Sequence, residues 1–141
     1  MLVTAESCTG GWVAQAVTAV PGSSGWFDRG FVTYSNAAKH EVLGVSKKIL
    51  KKFGAVSEQT ACAMARGALA HSRAGVAVAV TGVAGPSGGT AAKPVGMVCF
   101  AWARGRRALA ETRRFRGGRE AVRRQSVLHA LEGVLRILAG A

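Results

Sequence analysis

A serine stands where a strand gives way to a helix near the start of this 141-residue chain, in Ala5-Glu6-Ser7-Cys8-Thr9-Gly10-Gly11. Main-chain N–H groups at such a turn, beside a helix N-terminus, can bind an oxyanion or a phosphate. Ser, Thr and Gly are also what any strand-to-helix turn favours, so the segment alone leaves both readings open. It is not a P-loop, since no Gly-Lys-Ser/Thr follows, and it is not a Gly-x-Ser-x-Gly turn. Tyr34, the single tyrosine, ends a strand five residues before Lys39. A turn of helix starting at Asn36 would let both side chains point into one cleft, although each alone reads equally as a core-edge Tyr and a surface Lys. A third segment, Thr81-Gly82-Val83-Ala84-Gly85-Pro86-Ser87-Gly88-Gly89, leaves the C-terminal end of the most apolar strand, where open α/β sheets place ligands. Its small residues either let main chain approach a ligand or make an ordinary tight loop.

Other chemistries are excluded by what is scarce. Six Glu and one Asp (Asp28) stand against 19 Lys plus Arg, so an Asp pair, an EF-hand or a carboxylate-rich Mg²⁺ or Ca²⁺ site is out of reach within the chain. Cys8, Cys62 and Cys99 are odd in number with no CxxC, and His40, His71 and His129 form no HxxxH or His–Cys cluster. This reads as thiols in a reducing cytosol and no metal site. No apolar run is long enough to span a membrane, and the N-terminus lacks the basic start of a signal peptide. Of the net charge of +12, residues 104–124 hold +7, from nine Arg and two Glu. Such a run suits nucleic acid, a membrane surface, an anionic small substrate or a merely solvated face, and charge alone does not choose.

The elements that must position these residues follow from periodicity and capping signals. Val3–Glu6 reads as a strand, followed by a helix from Trp12 to about Val20 that stops at Pro21-Gly22. Gly30–Tyr34 reads as a second strand. Ser35-Asn36 then caps a short helix through Lys39 to Leu43, and Ser46 caps another over Lys47–Phe53 with Gly54 at its end. A longer helix starts at Ser57-Glu58, and Gly75–Val80 is an unbroken apolar strand, the pattern of a position covered on both faces. Val95–Ala103 and Leu109–Phe115 form a hairpin. A last helix over Arg119–Leu138 has Val122, Leu128, Leu131, Val134, Leu135 and Leu138 as its expected apolar side. Strands alternating with helices, then a hairpin and a helix, predict an α/β fold: a three-layer α/β/α sandwich with a mixed, mostly parallel sheet, in one domain over residues 1–141. Because the first strand begins at residue 2, no earlier element covers its face.

Taken together the segments resemble one family. Thr4-Ala5-Glu6-Ser7-Cys8-Thr9-Gly10-Gly11, Arg29-Gly30-Phe31-Val32-Thr33-Tyr34-Ser35-Asn36-x-x-Lys39 and Gly54-Ala55-Val56-Ser57 are similar to the CinA C-terminal domain, the nicotinamide-nucleotide amidohydrolase (NMN deamidase) family. Thr81-Gly82-x-Ala84-Gly85-Pro86-x-Gly88-Gly89, Lys93-Pro94-Val95-Gly96 and Gly118-Arg119-x-x-Val122-Arg123-Arg124-Gln125 continue the likeness in the same order, with Ser87 and Gly118 where the family has acidic residues. The family carries a helix before its first strand. The expectation here is therefore a truncated or misannotated start, or a neighbouring subunit over the gap.

The resemblance implies hydrolysis of the carboxamide of nicotinamide mononucleotide (NMN) to nicotinate mononucleotide and ammonia, a step of pyridine-nucleotide salvage. It implies no cofactor and no metal, with Ser7 as nucleophile and Tyr34 and Lys39 as its partners. It places substrate on Cys8, Thr9, Gly10, Thr81, Gly82, Ala84, Gly85 and Arg119. An amide is a poor electrophile, so the Ser hydroxyl must lose its proton as it attacks. With no His near the turn, a buried Lys of lowered pKa, relayed by a phenol, is a reasonable base. N–H groups after Ser7 would hold the oxyanion, an Arg the phosphate, and an aromatic ring or Glu6 the cationic pyridine ring. Cys8 is the alternative nucleophile. The expected setting is a cytoplasmic homodimer acting on a small nucleotide, away from membranes. Two rival readings remain: an inactive or regulatory nucleotide-binding protein linked to competence or DNA damage, and a nucleic-acid-binding module built on the Arg run. The latter lacks a set of stacking aromatics.

Overall fold

The structure, a computed structural model, describes residues Met1–Ala141. Its strands are β1 (Leu2–Glu6), β2 (Phe27–Val32), β3 (Val76–Gly82), β4 (Met97–Arg104) and β5 (Arg107–Arg114). Its helices are α1 (Trp12–Thr18), α2 (Asn36–Leu43), α3 (Lys47–Phe53), α4 (Glu58–Ala70) and α5 (Arg119–Leu138). The five strands form one sheet in the order β2-β1-β3-β4-β5. β1 runs parallel to both β2 and β3, while β4 and β5 are antiparallel additions at the far side. This is the mixed sheet of the expected three-layer sandwich.

Period-2 alternation on β3 decides what covers each face. Val76, Val78 and Val80 join Val13 and Val17 of α1, Phe100 and Trp102 of β4, and Val122, Val134 and Ile137 of α5 in one core. Ala77 and Ala79 face the other way and join Ala61, Met64, Ala65 and Ala68 of α4, with Leu43 at the end of α2. The second core is built largely from alanine, so α4 lies close to the sheet. At Gly67 of α4 an added Cβ would stand 2.0 Å from the carbonyl oxygen of Leu43, so this close crossing of α2 requires glycine.

Four expectations need correction. β2 starts at Phe27 and ends at Val32 rather than running over Gly30–Tyr34, because it pairs with all of β1 from Leu2↔Phe27 to Glu6↔Val32. Thr33 and Tyr34 are thereby released to lead into α2. α1 stops at Thr18, and a 3-10 turn over Ser23–Gly25 follows. The buried side of α5 is Val122, Ser126, Val127, Ala130, Gly133, Val134 and Ile137, whereas Leu128, Leu135 and Leu138 are exposed, Leu135 by 68%. The flat indole of Trp102 selects the small face: its Nε1 donates to Ala130 O at 2.8 Å, and a Cβ on Gly133 would lie 1.9 Å from the ring. Finally, β1 is buried along its whole length. The unfilled space beside it is a groove of about 410 Å³ lined wholly by apolar residues, among them Met1, Leu2, Val20, Leu135 and Leu138. Such a lining offers no group for catalysis.

Candidate active site

The chemistry-bearing residues meet at the C-terminal ends of β1 and β3. Ser7 N–H donates to Val80 O at 2.9 Å, so the chain stays paired to β3 for one residue beyond β1 before it turns. Within the turn, Gly10 N–H donates to Ser7 O at 3.1 Å and Trp12 N–H to Thr9 O at 3.0 Å. The N–H groups of Cys8 and Thr9 are left without a carbonyl partner. Gly11, at φ 104°, turns the chain into α1.

Lys39 arrives from α2. Ser35 caps that helix, its Oγ accepting from Ala38 N–H at 3.0 Å, and Lys39 follows one turn later. Its side chain is 1% exposed. Nζ lies 2.9 Å from Ser7 Oγ, 2.9 Å from Thr33 O and 3.1 Å from Tyr34 O. Burial lowers the lysine pKa from its ordinary value, because a charged ammonium there has lost its hydration. None of the ion pairs in the fold includes Lys39. The adjacent Cys8 thiol would counter the shift only as a thiolate, and burial pushes its own pKa up to about 12. A neutral thiol beside Ser7 is a poor nucleophile at neutral pH.

A cavity of about 180 Å³ opens over this pair, lined by Ser7, Cys8, Tyr34, Lys39, Thr81, Gly82, Ala84 and Arg119, together with Ala55 and Val56. Pockets that enclose a whole ligand are typically ~300–1,000 Å³, so this one takes only part of a larger ligand and leaves the rest at the mouth. Three expected binding residues, Thr9, Gly10 and Gly85, are not among those that line it; of Thr9 only the main-chain N–H, free of a carbonyl partner, remains available beside Ser7. Thr9 is buried with its hydroxyl donating to Glu6 at 2.7 Å, and Gly85 instead offers its carbonyl to Arg119 at 2.8 Å. Thr81 lines the cavity, but its hydroxyl donates to Ala55 O at 2.8 Å.

Tyr34 is where geometry departs most from expectation. Its carbonyl, not its phenol, touches Lys39. The side chain is 63% exposed, and its hydroxyl lies 3.4 Å from Arg119 Nη2 at the mouth. Glu6 is likewise turned away from the cavity. Its buried carboxylate accepts from Thr9 Oγ1, from Val13 N–H at 2.8 Å and from Ala14 N–H at 3.1 Å, bracing the start of α1.

Sequence reasoning missed three contributors. Ala55 and Val56 lie in the recognised Gly54–Ser57 segment, which carried no assigned role. Arg123 was one arginine among nine in a basic run, yet its Nε donates to Cys8 O at 3.0 Å and its Nη2 to Thr9 O at 3.1 Å.

A family model described as the CinA C-terminal domain matches residues 1–138. The chain is 57% identical over 136 residues to the nicotinamide-nucleotide amidohydrolase PncC of Pseudomonas putida, covering 96% of this chain and 85% of that protein. It is 52% identical over 132 residues to the PncC of Escherichia coli strain K12, with 93% and 80% covered. Among solved structures, the competence/damage inducible protein CihA from Agrobacterium tumefaciens matches with a TM-score of 0.94 at 52% identity, over 96% of this chain and 84% of that one.

Proposed function

From the premise that this chain belongs to the CinA C-terminal domain family, we propose how it carries out the reaction for which its relatives are named. The protein is an amidohydrolase that converts the carboxamide of NMN to a carboxylate with release of ammonia. Ser7 is the nucleophile and Lys39 its base. The observation that carries this is the 2.9 Å contact between Lys39 Nζ and Ser7 Oγ at a buried, unpaired lysine.

Hydrogen-bond valence supports the direction of proton transfer. Thr33 O and Tyr34 O can only accept, so they take two N–H bonds from Nζ. A neutral amine has two hydrogens and one lone pair, and that lone pair then faces the Ser7 hydroxyl. As Ser7 Oγ attacks the amide carbon, its proton passes to Nζ. The carbonyl oxygen gains the charge, and the N–H groups of Cys8 and Thr9, which no carbonyl of the turn takes, are the proposed donors to it. A well-aimed donor of this kind contributes roughly 2.7–4 kcal/mol to kcat. The lysine ammonium then returns the proton to the departing nitrogen, and ammonia leaves. Water attacks the resulting ester by the same base, freeing the carboxylate and Ser7.

The remaining lining residues bind. Ala55, Val56 and Ala84 offer apolar walls for the pyridine ring. Arg119 uses one N–H on Gly85 O and one on the Tyr34 hydroxyl, which leaves three of its five for the nucleotide phosphate. Tyr34 thus serves the mouth through its ring and the base through its carbonyl. The proposed mechanism is metal-free: no three His, Cys, Asp or Glu side chains converge in the fold. Residues 1–141 acting as one domain, a cytoplasmic home and a homodimer belong to the same proposal. Three free cysteines support the reducing compartment. Exposed Leu128, Leu135 and Leu138 support a second copy.

The test is ammonia release from NMN, with and without EDTA, by the wild type and Ser7→Ala. The expected result is chelator-insensitive turnover that Ser7→Ala abolishes, with NMN binding within about tenfold of wild type because the hydroxyl forms bonds only during reaction. Near-wild-type turnover by Ser7→Ala would remove the nucleophile assignment.

A further inference from the structure

Arg123 is a half-buried cation that touches neither the cavity nor any carboxylate. Its guanidinium donates to two successive carbonyls of the serine turn, Cys8 O at 3.0 Å and Thr9 O at 3.1 Å. It lies over the ring of Trp12, with Cζ 5.4 Å from the centroid, which fixes its plane. We propose that Arg123 is a positioning residue: by holding the peptide units on either side of Thr9 it aims the Thr9 N–H at the developing oxyanion and keeps the turn closed through the Gly10 N–H.

Peptide planarity carries the argument. In a trans peptide the C=O and the following N–H point in opposite directions. The carbonyl of Cys8 belongs to the same plane as the N–H of Thr9, one of the amides without a partner in the turn. Anchoring Cys8 O on the α5 side therefore aims the Thr9 N–H away from α5. Anchoring Thr9 O does the same for the next plane, whose Gly10 N–H closes back on Ser7 O at 3.1 Å. Glu6 braces the other side of the turn by taking Thr9 Oγ1 and the first N–H groups of α1. The turn is thus held between a buried anion and a stacked cation. The forked, planar guanidinium meets the two carbonyls with separate nitrogens, Nε and Nη2, held in one plane over Trp12, whereas a lysine ammonium would act there as a point charge without a fixed plane. Arg119, one helical turn earlier on the same face of α5, reaches the mouth of the cavity instead.

This inference rests on Ser7 being the nucleophile, and its test separates the two. Arg123→Ala and Arg123→Lys are compared with wild type for kcat and KM on NMN, for rescue by dilute guanidinium chloride, and for amide exchange at residues 8–10. Arg123→Ala should lose about 10²-fold in kcat, the scale of one misdirected oxyanion donor, with KM within about threefold. Guanidinium, but not urea at equal concentration, should restore part of the rate. The amide of Gly10, bonded to Ser7 O, should exchange at least ~10-fold faster while those of β3 stay protected. Arg123→Lys keeps the alkyl stem over Trp12 and should fall in between; it replaces Arg123→Ala if the latter does not fold. A kcat within about threefold of wild type, a rise in KM at unchanged kcat, or a loss that guanidinium leaves untouched would each overturn the proposal. If the wild type does not hydrolyse NMN, the substrate reading falls, and amide exchange alone decides whether Arg123 holds the turn: unchanged exchange in the variants would overturn it.

Discussion

Lys39 Nζ stands 2.9 Å from Ser7 Oγ across 32 residues of sequence, with two main-chain carbonyls as its other neighbours. Because both carbonyls come from the Thr33–Tyr34 segment between β2 and α2, the lysine is aimed by the backbone. A side-chain relay is not needed to explain its orientation.

That geometry sets the pH dependence of the rate. An ordinary lysine, at pKa ~10.4, is almost wholly protonated at neutral pH and useless as a base. Burial depresses the Lys39 value, so kcat/KM should rise with pH along a limb below the ordinary lysine range, a limb belonging to the coupled Lys39–Ser7 pair. Lys39→Arg retains charge but cannot surrender its proton. It should fail as badly as Lys39→Ala, by about 10²–10⁴-fold. If it retained more than about a tenth of wild-type kcat, Lys39 would be only an electrostatic aid. Tyr34→Phe should keep most of kcat and raise KM, since the phenol meets Arg119 and not the base.

The same lysine links stability to pH. Its folded pKa is depressed, so between the folded and unfolded values the unfolded chain binds more protons, and stability rises with pH through that window. The cost of a buried ammonium is fully present below the folded pKa and is relieved as pH climbs toward ~10.4. Lys39→Met lacks this titration. The melting temperature of wild type relative to Lys39→Met should therefore increase with pH across the alkaline range. A difference flat with pH would contradict a depressed Lys39.

The thiols should react in an order set by burial. Cys8 is buried and shifted to about 12, and Cys99 is buried and raised, whereas Cys62 is only half-buried. Iodoacetamide at neutral pH should alkylate Cys62 first, and all three only on unfolding, as read by peptide mass. Rapid labelling of Cys8 in the native protein would reopen its candidacy as a nucleophile.

Two glycine contacts separate stability from catalysis. Ala normally stabilises a helix relative to Gly by ~1 kcal/mol, but here overpacking should cost ~1–3 kcal/mol and win. Gly67→Ala pushes on Leu43 O of the helix that carries Lys39, so it should lower both the melting temperature and kcat. Gly133→Ala collides with Trp102, remote from the cavity, and should lower the melting temperature with kcat near wild type. Equal effects of the two on kcat would show that α2 placement is not what aims the lysine.

Much of this protein was legible in one dimension. Ser35, Ser46 and Ser57 announce α2, α3 and α4, because a cap is a bond between residues three apart. The apolar run after Gly75 announces a strand covered on both faces, and the family likeness brought Ser7 and Lys39 to one site. Contacts between distant segments, and the directions of side chains within them, were decided by packing. α5 carries two apolar stripes, and periodicity cannot say which one meets the sheet; the width of Trp102 and the notch at Gly133 chose the smaller. The end of β2 at Val32, set by register with β1, leaves Tyr34 outside the strand, where its carbonyl and not its phenol reaches Lys39. Arg123 looked like any other charge in a basic run until α5 was laid against the serine turn, where one guanidinium could span two carbonyls 114 and 115 positions away in sequence.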